Sequence, residues 1–253
     1  GQWLPVDPFE STLTIGALVE GNHFGPRRHA HGTIRDHLIG LAVITGEGEL
    51  VRNGGKVVKN VAGYDLLKLF TGSSGSLGRV VEATFKLLPL PEDSKALHLE
   101  LSSLGEAAPL RAVFNTAQFQ PAWLNLVVLT DGKPVFSVGF EGVGEDVAEQ
   151  TSRALDQGLR LSEQPLHAEA RFHSACPSPI WRSFLPSKLP GELPLFGPGP
   201  FMAWLGAGVV ACKSGAAPTQ PSPPSAAELA IARRLKAAFD PNGVLPPLPY
   251  EPR

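Results

Sequence analysis

The sequence predicts an α+β protein in two parts, and three observations carry that expectation. Strand-like runs and glycine-marked turns fill the chain up to about Pro91. From Lys95 onward, elements follow one another in the order β-α-β-β-α-β. After two proline-rich segments, a capped amphipathic helix closes the sequence. The expected organisation is therefore a first domain over residues 1–91, a second over 95–215, and a C-terminal helix and tail over 225–253 that return to the first.

In the first part, Leu38–Ile44 is a continuous apolar run of strand length, Gly46-Glu47-Gly48 is a turn, and residues 49–52 form a short return strand. Residues 64–70 set Leu66, Leu67 and Phe70 at helical spacing. From Val81 the pattern alternates, with Val81, Ala83, Phe85 and Leu87 on one face and Glu82, Thr84 and Lys86 on the other. That alternation predicts a half-buried strand.

In the second part, residues 96–101 alternate as a strand and residues 104–119 read as a helix with Pro109 in its first turn. Residues 123–130 and 134–141 flank Asp131-Gly132, a hairpin signal. Residues 145–161 place Val147, Ala154, Leu155 and Leu159 on one helical face. A last strand falls at 166–172 or at 208–213. This order is that of a ferredoxin-like domain. Residues 186–200 and 218–224 are proline-rich and read as extended, exposed connections. Ser225-Ala226-Ala227-Glu228 is a capping box, and the helix it opens would bury Leu229, Ala232, Leu235 and Phe239 before Pro241 stops it.

Composition narrows the function classes. Hydrophobic residues make up 43% of the 253, enough for a packed core, and a formal charge of −2 argues against a nucleic-acid binder. There is no polybasic run, and no apolar stretch approaches the roughly 20 residues a membrane span needs. Cys176 and Cys212 show no metal-site spacing and read as reduced structural thiols, which fits a cytoplasmic protein. The opening GQWLPVDP reads as a connector, so a preceding segment is expected.

Several familiar sites are ruled out by pattern. No G-x-G-x-x-G follows a strand, Gly55-Lys56 lacks the rest of a P-loop, and no G-x-S-x-G elbow occurs. His29-Ala30-His31 has no third ligand motif nearby, and His167 and His173 stand alone. Arg27, Arg28 and Arg35 suit either a phosphate or ordinary salt bridges. The turn Gly72-Ser73-Ser74-Gly75-Ser76-Leu77-Gly78 stands out because glycines let the main chain approach a ligand, and free N–H groups in such turns cradle anions.

Taken in order, a set of phrases becomes specific. Thr14-Ile15-Gly16, Asn22, Gly25-Pro26-Arg27-Arg28, Gly32, Arg35-Asp36, Asn60-Val61-Ala62-Gly63-Tyr64-Asp65-Leu66, and Gly72-Ser73, Gly75 and Leu77-Gly78 follow one another, and Phe239-Asp240-Pro241-Asn242-Gly243-Val244-Leu245 closes the chain as an FDPxGxL ending. Together they resemble the FAD-binding flavoproteins of the vanillyl-alcohol-oxidase/p-cresol-methylhydroxylase type, and most closely the FAD-binding subunits of bacterial glycolate oxidases.

The resemblance implies an FAD-binding domain, its N-terminal pyrophosphate-loop subdomain missing from this sequence, joined to a ferredoxin-like cap. It implies that Thr14, Ile15, Gly16 and Gly25 lie along the flavin and pyrophosphate. It further implies that Gly32, Arg35 and Asp36 form a cofactor-side turn, and that Gly72, Ser73, Gly75, Gly78 and Val80 touch FAD through main chain. Implied partners are a larger FAD-binding subunit and an iron–sulfur subunit, in a complex that oxidises a small 2-hydroxy acid such as glycolate. The complex would be cytoplasmic or peripheral to the inner membrane through those partners.

This sequence departs from the pattern at Ala17, Phe24 and Pro246, and lacks the HxGDGNxH segment of the related D-lactate dehydrogenases. No residue is assigned as catalytic acid or base. The alternative is a non-catalytic, flavin-free assembly subunit of the same kind of complex.

Overall fold

A computed structural model describes residues 1–9, 12–55, 65–130, 133–163, 167–213 and 224–249. In chain order these form β1 (Gln2–Trp3), α1 (Ile15–Glu20), α2 (Arg28–His31), α3 (Ile34–His37), β2 (Leu38–Ile44), β3 (Leu50–Gly54), α4 (Leu66–Phe70), β4 (Arg79–Phe85), β5 (Leu88–Pro89) and β6 (Asp93–Glu100). There follow α5 (Ala107–Phe114), β7 (Trp123–Val128), β8 (Val135–Gly142), α6 (Gly144–Asp156), β9 (Arg160–Leu161), α7 (His167–Ala175), β10 (Ile180–Ser183), α8 (Leu189–Glu192), β11 (Phe201–Trp204), β12 (Val209–Cys212) and α9 (Ala226–Phe239). The chain divides into two compact units, one of Gly1–Gly25, His31–Pro89 and Ser222–Arg253, the other of Pro26–Ala30 and Leu90–Pro221.

The first unit is organised on the antiparallel sheet β3-β2-β4, with β1 paired to β5 beside it. The apolar run Leu38–Ile44 becomes the central strand because it can bury side chains on both faces, and Leu38, Leu41, Ala42 and Val43 are all buried. Leu18 and Val19 of α1, Ile34 and Phe70 join them, and Leu235 and Phe239 of α9 pack against the same cluster. Phe239 meets Phe70 edge to face with ring centroids 5.3 Å apart. The stripe expected on α9 is the stripe it presents: Leu229, Ala232, Leu235 and Phe239 are half-buried, while Ile231 is exposed.

Strand β4 does not keep the alternation expected of it. Ala42 pairs with Glu82 but Val43 pairs with Val80, so Val81 is the extra residue of a bulge. A bulge shifts the facing of one flank relative to the other. Val80, Ala83 and Phe85 therefore pack inward, while Val81 is 54% exposed. Leu87 lies past the strand and is exposed.

The second unit is a seven-stranded sheet in the order β10-β12-β11-β7-β8-β6-β9. Its part β7-β8-β6-β9, crossed by α5 and α6, has the strand order of a ferredoxin-like domain, extended beyond β7 by three later strands. Leu97, Leu124, Leu126, Phe136 and Val138 share one core cluster with Phe114, Val147 and Ala154 of the helices. The hairpin turn Asp131-Gly132 lies outside the described residues; β7 and β8, the strands that flank it, pair antiparallel with Val127 opposite Val135, one residue off the register a two-residue turn at these positions would set.

Three expectations in this unit are corrected, and one that offered two places is decided. The helix over 104–119 is a 3-10 turn followed by α5, which ends at Phe114 with Asn115 as its cap. The helix over 145–161 stops at Asp156, because Gly158 turns the chain with φ of 85° into β9. Leu155 faces solvent as a result. Of the two places for a further strand, 208–213 holds β12 and 167–175 is the helix α7. Residues 186–200 are not an extended exposed linker: Leu189, Leu193 and Phe196 are buried in the core along α8 and the 3-10 turn after it. Proline there serves the first turn of short helices, where its missing N–H costs nothing. Residues 218–223 lie outside the described residues.

The other face of this sheet carries a polar row. Trp204, Asn125, Ser137 and His98 are cross-strand partners on β11, β7, β8 and β6. Helix α7 contacts β7 and β11, and its buried Glu169 accepts bonds at Oε1 from Asn125 Nδ2 and Ser137 Oγ, both at 2.8 Å.

Candidate functional site

The first unit gathers most of the residues that the sequence singled out. Thr14 caps α1: its Oγ1 accepts the N–H of Ala17 at 3.1 Å. Ile15 is exposed on the first turn, and Gly16 lies beside β4, where an added Cβ would sit 3.5 Å from the Val80 carbonyl. The segment from Thr14 to Gly16 and Val80 are thus neighbours, brought together by the packing of α1 on β4.

The C-terminus of α1 anchors the glycine-serine turn. Gly72 N donates to Val19 O at 3.1 Å and Ser74 N to Glu20 O at 2.8 Å. Ser73 N reaches Phe70 O, and Ser76 N reaches Ser73 O. Glu20, which sequence reasoning passed over, is buried, and its carboxylate accepts the N–H of Val80 at 2.9 Å while pairing with Arg79. The N–H groups of Gly72, Ser73, Ser74, Ser76 and Val80 are therefore committed inside the protein. The expected cradle of free N–H groups does not exist at these positions. A lone acid before a glycine gives no sign in sequence that it will be buried, which is why Glu20 was missed.

The glycines have distinct structural reasons. Gly72 and Gly75 take φ of 80° and 73°, the left-handed region open to glycine. A Cβ on Gly78 would crowd the Ile44 carbonyl, Phe70 and Val43, so Gly78 serves core packing. Gly25 is pressed against Asp7: a Cβ there would lie 1.8 Å from the Asp7 carbonyl oxygen.

The turn with Gly32, Arg35 and Asp36 is a helix N-terminus. Asp36 Oδ2 accepts from Thr33 N at 2.7 Å and from Thr33 Oγ1 at 3.0 Å. Burial alone would raise the Asp36 pKa, but these bonds and the nearby His37 and Arg35 outweigh it and hold the carboxyl below its ordinary value. Arg35 is exposed. Arg27, left open between phosphate and salt bridge, belongs to the second unit, where its guanidinium grips Glu141 with Nη2 to Oε1 at 2.6 Å and Nε to Oε2 at 2.9 Å and lies over Trp123. The phrase from Asn60 to Tyr64 lies outside the described residues. Among the described residues no cluster of His, Cys, Asp or Glu could hold a metal, and both cysteines are free and buried.

The FDPxGxL ending has a clear local function. Asp240 is buried, accepts the N–H groups of Val244 and Leu245 at 2.9 and 3.0 Å, and pairs with Lys236. Phe239 O receives the N–H of Gly46, and a side chain on Gly46 would collide with Asp240. The motif thus closes the C-terminus onto the β2–β3 turn.

One opening remains between the turn and α9. Gly72, Ser73 and Ser76 line a cleft of about 230 Å³ with Ala232, Leu235 and Leu248. Ser73 Oγ is buried without a hydrogen-bond partner, as is Oδ1 of Asn22, whose Cβ would lie 3.3 Å from a Cβ on Gly72. Unsatisfied buried polar atoms are uncommon. Of the two residues, Ser73 lines the cleft and Asn22 does not.

Comparison with known proteins decides the family. Residues 1–54 match the family described as an FAD binding domain, FAD_binding_4. The chain is 34% identical to the glycolate oxidase subunit GlcE of Escherichia coli (strain K12), over 98% of this chain and 75% of that protein. The chain belongs to the GlcE family. GlcE-type chains are FAD-binding flavoproteins of α+β architecture, and FAD is the cofactor to which the matched domain points. The glycolate oxidase subunit GlcD of Bacillus subtilis (strain 168) is 41% identical, but over 50% of this chain and only 27% of its own length. A solved alkyldihydroxyacetonephosphate synthase superposes with a TM-score of 0.68 at 15% identity, over 97% of this chain and 58% of that one, a likeness of fold. No helix among the described residues of this GlcE-family chain is long and apolar enough to cross a membrane.

Proposed function

We propose that this chain is the FAD-binding subunit of a 2-hydroxy-acid oxidase or dehydrogenase complex of the glycolate oxidase kind, partnered by a larger FAD-binding subunit and an iron–sulfur subunit that takes the electrons. The observation that carries the reading is the 34% identity with GlcE along 98% of the chain. Thr14 to Gly16, Val80 and the Ser73 hydroxyl are the groups that would hold the cofactor. When bound, FAD supplies the two-electron acceptor. The chain's own part is to orient it: α1 carries Thr14 to Gly16 against β4, and Glu20 fixes the start of that strand.

The test is the cofactor content of the purified full-length protein. A yellow preparation that releases FAD on denaturation supports the reading. A colourless one that takes up no FAD on incubation overturns it.

One finding favours a second reading, in which the subunit holds its partners together without flavin. Five N–H groups of the turn and of β4 are already bonded inside the protein, and Gly25 is explained by its contact with Asp7. Reconstitution separates the two: an assembly subunit would restore turnover of glycolate by the complex while remaining colourless.

A further inference from the structure

Three stretches of the first unit meet at one ammonium group. Lys236 lies on α9 with its side chain 18% exposed. Its Nζ pairs with Asp240 and donates to the carbonyls of Ser76, Leu245 and Pro246 at 2.9, 3.2 and 2.8 Å. An ammonium has three donors and no acceptor, so these four oxygens use it fully. The bond to Ser76 reaches across 160 residues and joins the glycine-serine turn to the tail that follows the FDPxGxL ending.

Ser76 carries that hold into the turn. It is 1% exposed, and its Oγ and N–H both donate to the Ser73 carbonyl, at 2.6 and 3.0 Å. From the other side, the carbonyls of Val19 and Glu20 on α1 take the N–H groups of Gly72 and Ser74. The turn is thus held by its N–H groups on the α1 side and through a carbonyl on the α9 side. Buried Leu248 and Pro249 of the tail line the same cleft as Gly72, Ser73 and Ser76. A neutral side chain of equal length at position 236 would leave the Ser76 carbonyl without this donor and the buried Asp240 without its cation, and both losses are costly.

We infer that Lys236 is a positioning residue for the turn implied to meet FAD: acting through Ser76, it locks the turn to the C-terminal tail so that the two open together. The consequence for cofactor binding rests on the proposed function, whereas the coupling of turn to tail does not.

Amide hydrogen exchange on the full-length subunit, stripped of any flavin, tests the coupling. In Lys236→Met, which keeps the length and removes the charge, the amides of Gly72, Ser74 and Ser76 should exchange about tenfold faster or more, together with those of Val244 and Leu245. Faster exchange in the tail alone overturns the inference. A urea series on the parent needs no variant, and it decides if Lys236→Met fails to fold. Protection of the turn and of Val244 and Leu245 should be lost together as urea rises, ahead of protection in β2. Turn and tail that respond differently to urea, or that open only when β2 does, overturn the inference.

Flavin titration supplies a readout that a loss of global stability does not move. Under conditions where both proteins are fully folded, Lys236→Met should bind FAD about tenfold more weakly than the parent. Equal affinity overturns the positioning role. The two readings also fail separately. A parent that takes up no FAD, but whose turn and tail open together, loses the flavin reading and keeps the coupling. A yellow parent whose turn opens independently of its tail does the reverse.

Discussion

The carboxylate of Glu20 accepts the backbone N–H of Val80 at 2.9 Å across sixty residues of sequence, tying the last turn of α1 to the start of β4. The same side chain pairs with Arg79 at 3.1 Å, and the backbone carbonyl of Glu20 itself accepts the N–H of Ser74 in the turn. One buried acid thus fixes three segments implied to face the cofactor.

Replacing Glu20 with alanine should destabilise the protein by about 1.5–3 kcal/mol, the worth of a hydrogen bond to a charged group plus the N–H left unpaired. Arg79 is 57% exposed, so its pairing adds little. Glu20→Gln, which still offers an oxygen to Val80, should lose clearly less. Urea denaturation of the three proteins measures this, and equal losses for Ala and Gln would show that the bond to Val80 is not what matters.

Ser73→Ala should separate stability from cofactor binding. The hydroxyl has no partner inside the protein, so its removal should leave the apo protein as stable as before, or more stable by up to about 1 kcal/mol. FAD affinity should fall about tenfold. Thermal melts and flavin titration check the two halves, and unchanged affinity would favour the flavin-free reading.

Gly25→Ala should destabilise by about 3 kcal/mol or more with or without FAD, because the new methyl group has no space beside the Asp7 carbonyl. The comparison is made on flavin-stripped protein. A variant as stable as the parent in that state, but unable to retain flavin, would assign Gly25 to the cofactor instead.

Acid should loosen the C-terminal closure. Burial by itself would raise the Asp240 pKa, but the Lys236 ammonium and the N–H groups of Leu245 and Val244 outweigh it and lower the value. A carboxyl depressed in the folded state contributes stability above its unfolded pKa, about 3.9, and loses it as pH falls through the folded value. Asp240→Asn should therefore be less stable than the parent at neutral pH, with the difference shrinking below about pH 4. Denaturation midpoints across that range test it, and a difference independent of pH would exclude the carboxylate as its source.

Elements set by a local apolar pattern were legible in sequence: Leu38–Ile44 was expected residue for residue, and the Ser225–Glu228 box opens α9 as expected. The β-α-β-β-α part of the ferredoxin-like core followed from element order, but its closing strand β9 was read as the end of the preceding helix. What could not be read was decided by tertiary partners. Val81 turns outward because β4 must match β2 through a bulge, and residues 186–200 are buried because Leu189, Leu193 and Phe196 find the core of the second unit. At the site, periodicity shows glycines but not whether their N–H groups are spoken for. Glu20, Asp240 and Glu169 all look like surface acids until the chain folds around them.

The first unit is assembled from stretches at both ends of the described chain, with Leu90–Pro221 inserted between them. Phe70 waits for Phe239, and the β2–β3 turn waits for Asp240. During synthesis, the inserted unit emerges nearly whole before α9 does, so it can fold while the first unit is still incomplete. Because closure entropy grows only logarithmically, doubling such an insertion costs about 0.6 kcal/mol. Elaboration of the inserted unit, including its three extra strands, is therefore inexpensive at equilibrium and is felt chiefly as a slower final step, in which distant contacts must meet.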